Sequence, residues 1–150
     1  MTEAIVLDAI DFQPNPAELY EMLRLRPGSS RAAEFDHFLE QGLQIARPKV
    51  IYKVAFIEEK GERHTLIDGV RFDSRVMRVN LDAVHRVFPY VVTCGAELET
   101  WQESLDDFLL SFWADAIKAS ALNAAFKAFD QHLNAAFQPG PVSTMNPGSL

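Results

Sequence analysis

The stretch from Phe88 to Phe137 constrains the fold of this chain more than any other part. Residues 88–95 form an apolar, β-branched run closed by a glycine, which predicts a buried strand. Residues 96–138 contain neither Pro nor Gly, and their apolar side chains recur at three- and four-residue steps, as on one side of an α-helix. A face this wide must be covered on more than one side, so we expect the rest of the chain to cover it. One apolar row comprises Leu105, Phe108, Leu109, Phe112, Ala116, Ala119, Phe126, Phe129, Leu133 and Phe137, and a second row comprises Trp113, Ile117, Ala121 and Ala124.

The chain ahead of this stretch is divided into short strands and helices by turn residues. Residues 4–12 predict a strand at the edge of a sheet, and residues 49–58, apolar on both faces, predict a central strand. Residues 65–72 predict a returning strand that is broken at Asp68-Gly69. Residues 75–81 fit either a short helix with its apolar side chains inward or a more extended segment. Helix caps are expected at Asn15, at Ser29 or Ser30 and at Asp73-Ser74. Ser104-x-x-Asp107 fits a variant of the capping box, which predicts a break between a short helix, residues 97–103, and the long one.

Composition limits the possible partners and compartment. The 150 residues fit one domain, and a hydrophobic content of 48% is enough to build a core. The formal net charge of −7 argues against nucleic acid and anionic membranes as partners. The single cysteine, Cys94, excludes an intramolecular disulfide and fits a reducing cytoplasm. The first residues lack the features of a signal peptide and no apolar run is long enough to span a membrane, so we predict a cytoplasmic protein.

Few residues are candidates for chemistry, and a structural role fits each of them better. Gly95 ends a strand before a helix, where α/β proteins hold phosphate, but Glu97 and Glu99 in the first turn would repel an anion. The same glutamates oppose activation of Cys94, which fits a small buried side chain. The acids around Asp107 fit helix capping better than an acid–base pair. No recognised metal-ligand spacing is formed by the four histidines, His37, His64, His85 and His132.

The residues after Phe137 change character. They contain three prolines and two glycines among thirteen residues, so they cannot form a regular helix. Within them, the glycine of Asn146-Pro147-Gly148 permits close approach of the backbone to a ligand, and the proline fixes the turn. Composition alone favours a loosely packed tail over such a binding loop.

Several short motifs occur in a distinctive order between about residue 40 and residue 148. Ala46-Arg47-Pro48 enters a strand, Gly69, Phe72 and Ser74 follow, and residues 87–99 (VFPYVVTCGAELE) precede the alanine-rich helix and the Pro-Gly segment. Together these motifs resemble the activation domain of vitamin B12-dependent methionine synthase, particularly its short stand-alone relatives found with corrinoid proteins of anaerobic methyl transfer. Their order and spacing carry the resemblance, because each motif alone is short.

The resemblance implies a fold and a function. The implied fold is α+β, with an antiparallel twisted sheet packed against helices and one long C-terminal alanine-rich helix. The implied function is that of an accessory module of a methyltransferase system, which binds S-adenosylmethionine (SAM) and docks onto a corrinoid-binding protein that carries cobalamin. After an electron donor has reduced the oxidised cobalt, SAM remethylates it. Such a module positions the reactants and supplies no catalytic residue of its own.

The resemblance also implies where SAM would bind. The SAM loop of the family runs Arg-x-x-Pro-Gly-Tyr, and its alignment makes Thr144, Asn146, Pro147 and Gly148 the candidate cofactor-binding residues. Thr144 then takes the position of the Arg, which would hold the SAM carboxylate by a bidentate contact that Thr cannot make, and Ser149 that of the Tyr. An interaction, scaffold or homodimerisation module that has lost SAM binding is the alternative. Because the family continues beyond this loop, we expect residues 1–150 to be one such domain, truncated at its C-terminal end.

Overall fold

The computed structural model describes residues 3–146 and has an α+β fold. Helices and antiparallel strands are both present, and a long alanine-rich helix lies near the C-terminus, as predicted. No helix within residues 3–146 combines the length and the apolar character needed to cross a membrane. The elements in chain order are β1 (Ile5–Leu7), α1 (Pro16–Leu23), α2 (Ser30–Ile45), β2 (Lys49–Tyr52), β3 (Ala55–Lys60), β4 (Thr65–Ile67), β5 (Val70–Phe72), α3 (Arg75–Asn80), β6 (Arg86–Val87), β7 (Tyr90–Thr93), α4 (Ala96–Glu103) and α5 (Phe108–Phe137).

The chain divides into two compact units, and residues contact one another mainly within their own unit. Unit 1 comprises Met1–Val6, Ile51–Val91 and Phe137–Leu150, and unit 2 comprises Leu7–Val50 and Val92–Ala136. The division falls within β1, β2 and β7, which form a three-stranded sheet in the order β1-β2-β7. The position of β1 at an edge of this sheet confirms the prediction of an edge strand, although the strand is shorter than residues 4–12.

The caps predicted at Asn15, Ser29 and Ser74 are confirmed by hydrogen bonds to the first turns. The predicted break before the long helix is also present, but its cap is Asp107 rather than Ser104: Asp107 Oδ1 accepts from the backbone N–H of Leu110 at 3.0 Å, whereas Ser104 ends α4 and its hydroxyl donates to the Trp101 carbonyl oxygen. Ser29, rather than Ser30, caps α2. Side-chain oxygens satisfy helix N–H groups that have no partner within the helix, which is why these residue types mark helix starts. The remaining caps are Asn15 on Ala17 at 3.1 Å and Ser74 on Met77 at 3.2 Å.

Unit 2 is built from helices that pack around aromatic side chains. The rings of Phe35 and Phe38 on α2 lie 5.4 and 5.9 Å from that of Trp113 on α5, and Phe38 stacks on Trp101 of α4 at 4.6 Å. Gly42 lies beneath this stack, and a Cβ placed there would be 3.2 Å from Trp101. A small residue at this point of α2 therefore allows the helices to approach closely.

The buried side of α5 differs from the prediction. In the first apolar row, Phe108, Phe112 and Phe126 are exposed, whereas three members of the second row are buried. Periodicity shows which side chains share a face, but it does not show which of two adjacent apolar faces the chain covers. Six of the buried positions recur every four residues, so this buried stripe advances by about 40° at each step and winds around the helix. They are Trp113, Ile117, Ala121, Ala125, Phe129 and Leu133, and Ala114 and Ala116 are buried beside the start of the stripe.

Unit 1 contains an antiparallel sheet in the order β5-β4-β3-β6. The predicted break at Asp68-Gly69 is the turn of a hairpin, in which Ile67 pairs with Val70. Both turn residues have positive φ, 49° and 78°, as a two-residue type I′ turn requires. The sheet and α3 enclose a core formed by Ala55, Ile67, Met77 and Leu81.

Three other predictions need correction. Residues 49–58 form two strands rather than one, because β2 belongs to the three-stranded sheet and β3 to the four-stranded sheet. Lys53 and Val54 connect the two strands. The strand expected to be buried in residues 88–95 is only Tyr90–Thr93, and its Val91 is 61% exposed, so one side of it is not covered. Residues 75–80 form the helical alternative, but Val76 and Val79 are exposed and only Met77 is buried, because a helix this short turns a narrow stripe towards the core.

Candidate functional site

The candidate SAM loop begins on the surface of unit 1. Thr144 and Asn146 are exposed and lie outside helices and strands, whereas Pro147 and Gly148 lie outside the described residues. Met145, between the two exposed residues, packs against the core cluster of unit 1. Its Sδ also accepts from Asn80 Nδ2, at 3.5 Å, at the end of α3. One apolar side chain therefore anchors the start of the loop beside α3, with polar side chains on either side of it.

Of the two arginines on α3, Arg75 and Arg78, the second is engaged in the local structure. Arg78 Nε donates to the carbonyl oxygen of Gly61 at 2.7 Å, and Nη1 donates to the Asp82 carboxylate at 2.8 Å. The hydrogen bond from Arg78 holds the pKa of Asp82 below its usual value. Arg78 therefore stabilises the turn after β3 and the end of α3, and it does not replace the arginine that the family loop would bring to a SAM carboxylate.

The start of α4 is occupied by protein groups. Gly95 has φ 97°, and a Cβ there would lie 2.5 Å from the carbonyl oxygen of Arg47, so close approach of two backbone segments requires this glycine. Lys49 Nζ lies 2.9 and 3.0 Å from the two carboxylate oxygens of Glu97, and this hydrogen bonding holds the pKa of Glu97 below its usual value. Cys94 packs against the core of unit 2. These contacts favour the structural interpretation of Cys94 and Gly95.

An aromatic and cationic cluster in unit 1 was not predicted. The Arg86 guanidinium lies 5.2 Å from the ring centroid of Phe88 and 5.8 Å from that of Phe137, distances typical of cation–π contacts. The Tyr52 ring lies 6.5 and 6.4 Å from the same two rings. Tyr52 is buried, which raises the pKa of its hydroxyl, so this group keeps its proton and does not act as a base near neutral pH. The sequence did not predict the cluster because Tyr52 and Phe137 are distant along the chain from Arg86 and Phe88.

A groove of about 340 Å³ lies between α2 and the start of α5, within unit 2. Its charged and polar groups bind one another or the backbone: Arg31 Nη1 lies 3.7 Å from Glu34 Oε2, His37 and Gln41 are 3.4 Å apart, and Asp107 caps α5. The groove can therefore accept an apolar group, but it offers no matched acid and base. Residues 31, 34, 38 and 41 are three or four positions apart, so they lie on the same side of α2. This spacing is the sequence signal that could have predicted their proximity. The full lining is Arg31, Glu34, His37, Phe38, Gln41, Asp107, Leu109, Leu110 and Trp113.

Residues 3–146 contain no group of three or more histidines, cysteines or acids placed to hold a metal ion. Neither the family models nor the curated proteins with which the sequence was compared give a match.

Proposed function

We propose that this chain is an activation-domain-like module of a cytoplasmic, corrinoid-dependent methyl-transfer system, which positions SAM or docks a corrinoid-binding protein. The observation that supports this proposal is the order of motifs in residues 40–148, on a chain whose fold is α+β. The strand and glycine of residues 87–95, the long alanine-rich helix and the Pro-Gly segment follow one another as the resemblance implies.

Two lysines beside α4 are held in ion pairs. Lys49 binds Glu97 at the start of α4, and Lys118 binds Glu99 of the same helix. The hydrogen bond to Glu99 raises the pKa of Lys118, so this side chain stays a cation and does not act as a base. In the proposed system Thr144 and Asn146 would contact SAM, which would supply the methyl group, and the contribution of this chain would be to position SAM for the partner's cobalamin.

The loop offers hydrogen bonds to SAM but no cation. Thr144 and Asn146 are exposed, so their hydroxyl and amide groups are accessible to a ligand. Arginine at position 144 would add a bidentate, charge-assisted contact to the SAM carboxylate, whereas lysine would add only a point charge. Because position 144 is exposed, either substitution can be made without disturbing a core.

Calorimetric titration of SAM into a series of variants tests the proposal. We expect weak binding by the wild type, affinity raised about tenfold or more by Thr144→Arg, and a smaller gain from Thr144→Lys. Gly148→Val should abolish binding because it removes the close backbone approach, and Ser143→Val, which adds similar bulk to an exposed position before the loop, should not. Absence of binding by every protein, including Thr144→Arg, would contradict the SAM-positioning role.

A second candidate is an interaction module that has lost SAM binding. The observation that favours it is the presence of Thr144 and Ser149 at the positions where the resemblance implies Arg and Tyr. It predicts the contrary outcome of the same titration, in which the wild type does not respond to SAM and Gly148→Val has no effect.

A further inference from the structure

The long helix α5 exposes an aromatic face in unit 2. Phe108 is 91% exposed, Phe112 is 53% exposed and Phe126 is 41% exposed. Successive residues of an α-helix are about 100° apart, so Phe126 lies at the same angle as Phe108, Ala119 lies about 20° from them, and Phe112 lies about 40° away. We call these four residues the α5 stripe. It runs along one side of the helix, opposite the buried Ile117.

A stripe of this kind needs an explanation, although single exposed apolar residues do not. It extends over 19 residues, from Phe108 to Phe126, about 27 Å of helix. A phenylalanine side chain has a surface of about 200 Å². With this value, the exposed surface of Phe108, Phe112 and Phe126 in two copies of the chain adds up to roughly 700 Å². A specific interface buries about 1,200 Å² or more in total, so these rings alone would supply more than half of it. Contiguous apolar surface on this scale is typical of interaction sites.

We propose that the α5 stripe pairs with the α5 stripe of a second copy, antiparallel, about a two-fold axis at the level of residue 117. The positions of Phe108 and Phe126 support this arrangement because the two rings lie at equal distances on either side of that level and at the same angle on the helix. Phe108 of one copy meets Phe126 of the other, and Phe112 meets Leu122, which is half-buried. The same patch then serves both copies, as a two-fold interface requires.

The helix dipoles favour the antiparallel direction over the parallel one. The N-terminus of an α-helix carries a partial positive charge and the C-terminus a partial negative charge, so an antiparallel pair of α5 helices places opposite partial charges side by side, whereas a parallel pair places like ones together.

The centre of the stripe permits close approach of two helices. Asp115 of one copy meets Ala119 of the other, and an alanine at this level leaves room for the partner helix. Asp115 already accepts from Gln102 Nε2 at 2.7 Å, so its carboxylate has a hydrogen-bond donor within its own chain. The pairing involves none of residues 144–148, so it does not depend on the proposed function and either proposal can fail without the other.

Sedimentation velocity over a wide range of protein concentration tests the pairing. We expect a concentration-dependent species of twice the 16.9 kDa chain mass. Phe108→Ser combined with Phe112→Ser should weaken association by about thirtyfold or more, because it removes most of the aromatic surface. A matched control is Phe56→Ser combined with Val79→Ser, which removes side chains that are 58% and 64% exposed in unit 1 and should leave association unchanged. A wild-type chain that stays monomeric at all concentrations would overturn the proposal, as would equal effects of the two double variants.

Disulfide trapping tests the direction of the pair. In a Cys94→Ala background, a mixture of Asp115→Cys and Ala119→Cys chains should form a mixed disulfide faster than either chain forms one with itself, because only the mixed pair lies at one level. Circular dichroism of each variant establishes that the fold is retained. A parallel pair predicts the contrary result, rapid cross-linking of Ala119→Cys with itself, and that result would overturn the proposed arrangement.

Discussion

At the scale of single residues, Gly95 shows how one backbone position ties distant parts of unit 2 together. Its φ of 97° and ψ of 145° lie in a region that side-chain-bearing residues rarely adopt. The Arg47 carbonyl oxygen occupies the space in which a Cβ would stand. The glycine that resembles part of a phosphate site in the sequence is therefore needed for packing of the chain against itself.

We predict that Gly95→Ala lowers the free energy of unfolding by about 3 kcal/mol or more, because it adds a clash with backbone to the cost of the unfavourable φ. Gly28→Ala is the matched control. Gly28 also has a positive φ, 80°, but a Cβ there meets nothing within 4 Å. It should cost only about 1–2 kcal/mol. Urea denaturation of both variants measures the difference, and equal losses would contradict the role assigned to the Arg47 carbonyl.

At the scale of elements, the start of α5 depends on one carboxylate. Asp107 accepts from the N–H of Leu110, and its backbone carbonyl accepts from Ser111 at 3.0 Å. We predict that Asp107→Ala lowers the free energy of unfolding by about 1 kcal/mol, whereas Asp107→Asn has little effect, because asparagine is also a good cap. Asp106→Ala, one position earlier and exposed, is the control. Urea denaturation measures all three, and equal losses from Asp107→Ala and Asp106→Ala would exclude the cap as the cause.

Helix starts could be predicted from the sequence because their determinants are local. The caps at Asn15, Ser29 and Ser74 each bond to a backbone N–H two or three residues away, so the residue type and its neighbours suffice. Burial could not be predicted in the same way. Val79 and Phe108 have the apolar spacing of core residues but are exposed, because exposure depends on which other elements lie against that face.

The candidate sites show the same difference between local sequence signals and contacts of residues distant in sequence. Thr144 and Asn146 are candidates because a short contiguous motif resembles a family loop, and the structure shows only that both residues are exposed. The cluster of Arg86 with Phe88 and Phe137 could not be predicted, because Phe137 lies about fifty positions beyond its partners. Side chains that distant in sequence meet only when the fold brings their elements together, and no short pattern encodes that meeting.

At the scale of the whole molecule, the prediction of one domain can be tested against the two compact units. The chain passes from one unit to the other within β1, within β2, within β7 and at the end of α5. If one unit unfolded alone, β1, β2 and β7 would each be folded over only part of their length. Backbone groups in the remaining parts would then lack hydrogen-bond partners in the sheet. We predict that the two units unfold in one cooperative transition.

Amide hydrogen exchange, measured by mass spectrometry on peptides across a urea series, distinguishes one transition from two. Peptides from β4 and β5 report on unit 1, and those from residues 113–125 of α5 report on unit 2. Fluorescence gives a second report on unit 2 alone, because both tryptophans, Trp101 and Trp113, belong to it. Coincident loss of protection in all segments is the expected outcome. Earlier loss in β4 and β5 would mean that the smaller core around Met77 opens independently, and the chain would then consist of two domains rather than one.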